Sequence, residues 1–276
     1  MDPSAMPSDD ANPTRQGPDR DDRRANQRGY RSERCGGCRL SPSSCVCPWR
    51  PRIASTVRFL VLTHPVEAFK PTSTGRVVAS CVAGSRIESW SRESAPSELR
   101  NPRPGSPGRG AEESAGAGVT AIEWALVFPA RQPDLVSRCV APPDLLGRGD
   151  GGPGSIGLVL LDGTWPQARR MCRKSRWLER LPILSLDEVP RHGFRLRRSA
   201  QLPDRACTAD AAIRCMELLG DESGAERLAA YYHLFTLEYL RMRKGPGAVP
   251  DPHLERFRQR SLGGLRPSPP EGRPGP

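Results

Sequence analysis

One tetrapeptide of the chain, Asp162-Gly163-Thr164-Trp165, brings together a carboxylate, a turn glycine, a hydroxyl and an indole. An apolar run at 156–161 leads into it, and a basic segment follows it. We therefore expect a buried strand to end at Asp162 and a helix to begin directly after the turn. Ligands of open α/β sheets bind at the carboxyl ends of strands, and a helix N-terminus offers unpaired N–H groups to anions. The tetrapeptide is therefore a candidate site by position as well as by composition.

A purely structural interpretation of these residues stands beside the functional one. Asp-Gly is a common turn dipeptide. Thr164 can also serve as the N-cap of a helix that has Pro166 in its first turn. The residue types alone do not separate a turn and a helix cap from a catalytic site.

Composition restricts the class of protein. A chain of 276 residues is long enough for one α/β domain with a good core. No segment is apolar enough over sufficient length to span a membrane, and Met1 is followed by Asp2 and Pro3 rather than by an apolar signal core. We therefore expect a soluble, cytoplasmic protein without a membrane partner.

The charge of the chain points to nucleic acid. The formal net charge is +11 and the sequence pI is about 9.7, a balance that favours polyanionic partners. Compositional bias would spread arginine along the whole chain, whereas here the bases are densest just after the tetrapeptide. Four of them are candidate RNA-binding residues: Arg169, Arg170, Arg173 and Lys174.

Four cysteines form two close pairs, Cys35-Gly-Gly-Cys38 and Cys45-Val-Cys47. In a cytoplasmic protein this spacing fits a tetrahedral zinc site better than disulfides, with reactive or redox thiols as the alternative. Four thiolates would fill the coordination sphere, so we expect a structural zinc ion.

The pattern of apolar residues predicts alternating strands and helices. Strands are expected near 57–62, 87–90, 124–128, 156–161 and 183–186, and helices near 72–83, after 165, at 208–219 and at 226–243. Such alternation predicts an α/β fold with a mostly parallel sheet. We divide the chain into a disordered tail (1–34), a zinc knuckle (35–50), one domain (55–244) with flexible insertions near 91–118 and 141–155, and a flexible tail (245–276).

The run 161–168, which reads LDGTWPQA, resembles the signature of the DTW-domain family of tRNA-uridine aminocarboxypropyltransferases, and the resemblance covers roughly 35–240. It implies transfer of the 3-amino-3-carboxypropyl group of S-adenosylmethionine to N3 of a tRNA uridine, with release of methylthioadenosine. It implies tRNA as the partner, and no obligate protein partner is evident. It also implies a single domain similar to the knotted SPOUT methyltransferases, although true knots are rare.

Two alternatives remain open at this point. One is a related enzyme that transfers an aminocarboxypropyl group to ribosomal RNA, or a methyl group to RNA. The other is a zinc-knuckle RNA-binding protein without catalysis.

The resemblance implies site residues as well. Asp162, Thr164 and Trp165 would be catalytic, with Asp162 as general base or ribose ligand and Trp165 as a stacking face for adenine or the target base. Shorter family-like motifs add candidate cofactor-binding residues: His64, Glu67, Thr74, Gly75, Pro129, Gly163, Arg197, Thr208 and Asp210. The chain departs from the family pattern in having Ser73 for Asn, Ala130 for Ser and Asp210 for Glu.

Overall fold

The computed structural model describes residues 33–100, 123–129, 133–148, 152, 154–186 and 206–244. Five strands form one sheet: β1 (Val57–Thr63), β2 (Arg86–Ser89), β3 (Glu123–Val127), β4 (Ile156–Asp162) and β5 (Ile183–Leu184). Their order across the sheet is β2-β1-β4-β3-β5, and every neighbouring pair is parallel. The predicted α/β class with a parallel sheet is thereby confirmed.

Seven α-helices lie in the described part of the chain: α1 (Gly75–Cys81), α2 (Ser97–Arg100), α3 (Pro133–Val136), α4 (Pro142–Arg148), α5 (Trp165–Lys174), α6 (Thr208–Leu218) and α7 (Glu222–Lys244). The four predicted helices correspond to α1, α5, α6 and α7. None of the helices in these described ranges is both long enough and apolar enough to cross a membrane.

The sequence predicts a flexible insertion near 141–155, whereas in the structure helix α4 occupies the first half of this stretch. Proline is compatible with the first turn of a helix, where Pro142 and Pro143 stand. Leu145 of this helix is fully buried, and this packing stabilises the helix. In the other predicted insertion, Ser97–Arg100 is helical and residues 101–118 lie outside the described residues.

Helices cover both faces of the sheet, and successive strand residues point to opposite sides, so the central strands contribute to two separate cores. On one side, Phe59 and Val61 of β1 and Leu158 and Leu160 of β4 pack into a core with α1, α6 and α7. On the other side, core residues of β1 and β4 pack against Met171 of α5. We call these the α1/α6 face and the α5 face.

The two central strands meet at a topological switch point. From β1 the chain runs through α1 to β2 on one flank, whereas from β4 it runs through α5 to β5 on the other flank. The connections that leave the carboxyl ends of β1 and β4 therefore diverge, and we call the region between these two strand ends the crevice. Crevices of this kind are the usual ligand sites of open α/β sheets.

Residues 35–50, which we call the cysteine segment, are part of the core on the α1/α6 face. Leu40 and Val46 are fully buried there, and the backbone N–H of Ser41 donates to Met242 Sδ of α7 at 3.3 Å. The knot implied by the resemblance stays a prediction, since residues 187–205, between β5 and α6, lie outside the described residues. The same holds for the predicted tails at 1–32 and 245–276.

Candidate functional site

Asp162 is the last residue of β4 and lies beside Thr63, the last residue of β1. Its side chain shares the α1/α6 face with Leu160, since residues two apart in a strand point to the same side. Only 4% of Asp162 is exposed. The carboxylate that the tetrapeptide offered as a reactive group is therefore buried at the floor of the crevice.

Three hydroxyl groups donate hydrogen bonds to this carboxylate. Ser73 Oγ lies 2.6 Å from Oδ2, Thr208 Oγ1 lies 2.6 Å from Oδ1, and Thr63 Oγ1 lies 3.4 Å from Oδ2. A buried carboxylate is stable only when such donors replace its water. Asp162 thus joins the end of β1, the loop before α1 and the start of α6.

Two helices begin against Asp162. Thr208 is the first residue of α6, and Gly75 is the first residue of α1. A Cβ on Gly75 would lie 3.0 Å from Asp162 Cγ and 2.5 Å from Val61 Cγ1, so glycine allows α1 its close approach. Helix N-termini carry partial positive charge, which stabilises the carboxylate. Burial lowers the pKa of the nearby Arg76 guanidinium, whereas the Asp162 carboxylate acts in the opposite direction.

Two further predicted residues, Thr74 and Asp210, hold the first turn of α6. Thr74 Oγ1 accepts a hydrogen bond from the N–H of Ala209 at 3.2 Å, and Asp210 Oδ2 accepts one from the N–H of Cys207 at 3.0 Å. Both Thr74 and Asp210 are buried. They therefore fix the N-terminus of α6, where Thr208 meets Asp162.

The aromatic part of the tetrapeptide lies on the other face of the sheet. Trp165 begins α5 and stacks on Phe128 with ring centroids 5.5 Å apart, and the Arg169 guanidinium lies 5.4 Å from the Trp165 ring centroid. Thr164 caps α5, since its N–H and its hydroxyl both donate to Gln167 Oε1, at 2.6 and 2.8 Å. The structure therefore places Asp162 and Trp165 on opposite sides of one strand end.

The end of β1 contributes a second aromatic pair. The His64 ring stacks on Trp90 with ring centroids 5.9 Å apart. The backbone N–H of His64 donates to the backbone carbonyl oxygen of Asp162 at 2.9 Å. A Cβ on Gly163 would lie 3.6 Å from the Cβ of His64, so the loops after β1 and β4 touch here. Glu67 is buried and forms a 2.7 Å ion pair with Lys70.

The remaining candidates differ in position. Pro129 lies two residues after the end of β3 and is half-buried. Arg197 lies outside the described residues. The four candidate RNA-binding side chains are all exposed on α5.

The four predicted cysteine ligands come together as a metal-binding group. All four Sγ atoms lie within 4.8 Å of one another, and three of their separations are 3.5, 3.7 and 3.8 Å. Tetrahedral thiolates around zinc, each at about 2.3 Å from the ion, lie about 3.8 Å apart. The thiol geometry therefore fits one tetrahedral ion. The four cysteines that could hold such an ion are Cys35, Cys38, Cys45 and Cys47.

The cysteine group is closely packed, and two of its thiols hold their protons more strongly than free thiols do. A Cβ on Gly37 would lie 2.7 Å from Cys47 Sγ and 3.0 Å from Arg50 Nη2, so glycine is needed where the first cysteine pair turns. Hydrogen bonding to Cys38 and burial raise the pKa of Cys47 to about 12, and burial raises that of Cys45 to about 11. Metal binding therefore has to displace thiol protons.

Comparison with known proteins identifies the family. The DTW domain family matches residues 32–240, well over half of the chain. The protein belongs to the DTW domain family. Membership is consistent with an enzyme that modifies tRNA. No solved structure matches the chain.

Two residues of this DTW site were not predicted as ligands of Asp162. Thr63 meets Asp162 through the register of β1 and β4, and Ser73 meets it through the path of the loop before α1. Ser73 was visible in the sequence only as a departure from the family's Asn. The only sequence signal that could have found Thr63 is its hydroxyl directly after the strand expected at 57–62.

The cysteine group yields a first prediction. We expect the purified DTW protein to bind one Co²⁺ tetrahedrally, with the intense visible absorption of thiolate coordination, and Cys38→Ser to lose that spectrum. Cys139→Ser is the matched control, because Cys139 is an exposed thiol outside the group. Metal at about 1,000 times its Kd should stabilise the fold by about 4 kcal/mol, measured as a shift in thermal unfolding. Equal spectra for the two variants would contradict the ligand assignment.

Proposed function

We propose that this protein transfers the 3-amino-3-carboxypropyl group of S-adenosylmethionine to N3 of a tRNA uridine. The bond from N3 to the γ-carbon forms as the bond from that carbon to the sulfonium breaks. Methylthioadenosine leaves as a neutral thioether, and the N3 proton is released to water. The family membership and the position of the signature residues support this proposal.

The observation that carries the proposal is the location of the tetrapeptide. It ends β4 at the switch point of the sheet, where β1 and β4 send their connections to opposite flanks. Hydroxyls and helix N-termini converge at the same point, around Asp162. A non-catalytic RNA-binding module would have no need of a buried carboxylate at a ligand crevice.

We assign Asp162 a positioning role. Both of its oxygens already accept hydroxyl hydrogen bonds, and its burial leaves little room for the uridine N3. A general base would need its proton donor within about 2.6–3.2 Å. Asp162 instead fixes the loop that carries Ser73 and the helix that begins at Thr208, and these segments form walls of the crevice.

The donor would lie in the crevice between the ends of β1 and β4. Gly163 and His64 meet there, and α1, α5 and α6 all begin at or next to the end of β4. The partial positive charge of helix N-termini suits the carboxylate of the aminocarboxypropyl group. Trp165, on the α5 face, offers its ring to adenine or to uracil when the exposed Arg169 side chain moves aside.

We further propose that the four cysteines hold a structural Zn²⁺ ion. Four thiolates leave no open coordination position, so the ion would supply stability rather than chemistry. The cysteine segment packs on α7 through Met242 and on the same face of the sheet as α1, whose first residue touches Asp162. The zinc ion would thus support the crevice from behind.

Mass spectrometry of nucleosides tests the reaction directly. Incubation of the purified protein with unmodified tRNA transcript and S-adenosylmethionine should yield a uridine heavier by one aminocarboxypropyl group, together with methylthioadenosine. A methylated nucleoside with S-adenosylhomocysteine would contradict the proposed chemistry and favour methyl transfer. Bound tRNA without any product would contradict the enzyme assignment for that RNA.

The exposed bases of α5 yield a prediction about RNA binding. We expect the double variant Arg170→Ala/Arg173→Ala to weaken tRNA binding, because every phosphate that an arginine neutralises releases counterions. The slope of log K against log salt concentration should become shallower by roughly 0.7–0.9 for each phosphate that is no longer neutralised. Filter binding over a range of salt concentrations measures this.

Arg227→Ala/Arg243→Ala is the matched control for that prediction. Both arginines are exposed on α7, against the opposite face of the sheet, and the variant loses the same charge. If both double variants weaken binding equally, net charge rather than α5 is responsible, and the assignment is wrong.

A further inference from the structure

An exposed aromatic ring lies in the loop between β1 and α1. Phe69 is 75% exposed, the most exposed large apolar side chain among the described residues. The two other exposed large apolar residues there, Val136 and Leu146, are aliphatic and lie on helices α3 and α4. Single exposed apolar residues are ordinary at protein surfaces, so exposure alone assigns nothing to Phe69.

The loop that carries Phe69 starts and ends on Asp162. At its first residue, the His64 N–H donates to the Asp162 carbonyl oxygen at 2.9 Å. At its last residue, Ser73 Oγ donates to Asp162 Oδ2 at 2.6 Å. The ten residues from His64 to Ser73 thus form a loop whose two ends are held at the candidate site, with Phe69 near its middle.

The loop is held internally as well. Three consecutive turns have backbone hydrogen bonds, from Glu67 to His64, from Lys70 to Glu67 and from Ser73 to Lys70, at 2.8, 3.0 and 3.1 Å. Glu67 and Lys70 lie before and after Phe69 in the sequence, and the buried Glu67 carboxylate forms an ion pair with the Lys70 ammonium at 2.7 Å. Arg76 Nη2 of α1 donates to the Ala68 carbonyl oxygen at 3.2 Å. The ring is therefore presented to solvent by a fixed backbone.

We propose that Phe69 stacks on an unpaired base of the tRNA and positions it at the crevice. This inference rests on the proposed function. Unpaired bases stack on exposed aromatic rings, and such contacts accept any base because every base has a π-face. The net charge of +11 suits the phosphates on either side of that base. A fixed loop backbone also spares the entropy of ordering a mobile loop on binding.

Three variants test the proposal: Phe69→Ala, Phe69→Trp and the control Leu146→Ala, which truncates an exposed apolar residue elsewhere. The probe is an unmodified tRNA transcript, and the measurements are its Kd, the KM and kcat of transfer, and the Kd of S-adenosylmethionine. Phe69→Ala should raise the Kd and KM for tRNA by about tenfold, with kcat and donor binding unchanged. Phe69→Trp should bind tRNA as the unchanged protein does, since it keeps an aromatic face.

The outcomes separate this inference from the proposed function. Unchanged tRNA affinity in Phe69→Ala, or a loss no greater than that in Leu146→Ala, overturns the stacking contact. Failure of the unchanged protein to bind the transcript overturns it as well. If the unchanged protein makes no aminocarboxypropyl uridine while Phe69→Ala still weakens binding, the reaction is wrong and the contact stands.

Discussion

The hydrogen bonds that Asp162 accepts from three hydroxyls are the interaction on which the rest of the site depends. They connect β1, the loop before α1 and the start of α6, segments that are far apart in sequence. A carboxylate buried at the end of a strand would be costly without these donors. The same bonds that stabilise the charge therefore fix the geometry of the crevice.

The two faces of the sheet carry different side chains at its carboxyl edge. The α1/α6 face carries the buried polar cluster around Asp162 and is supported from behind by the cysteine segment. The α5 face carries the Trp165–Phe128 stack and the exposed bases of α5. A small donor molecule in the crevice and an RNA along α5 would thus approach the same strand end from different sides.

Local patterns in the sequence predicted much of this arrangement, and the rest depends on long-range pairing. The apolar runs predicted the strands, and the cysteine spacing predicted the metal-binding group, because both signals are local. The partners Thr63 and Ser73 follow from a strand order of β2-β1-β4-β3-β5 that no local pattern encodes. Helix α4 was missed because its Pro-rich start reads as a linker, whereas burial of Leu145 orders it.

Calorimetric measurement of S-adenosylmethionine binding to Asp162→Asn tests the central claim most directly. An amide keeps the shape of the side chain but cannot accept all three hydroxyl hydrogen bonds as a carboxylate does. If Asp162 positions the walls of the crevice, the Kd should rise by about tenfold or more, as expected when hydrogen bonds to a charged group are removed. The exposed Asp144→Asn is the control and should bind normally. Unchanged donor binding with abolished turnover would contradict the claim and make Asp162 the general base.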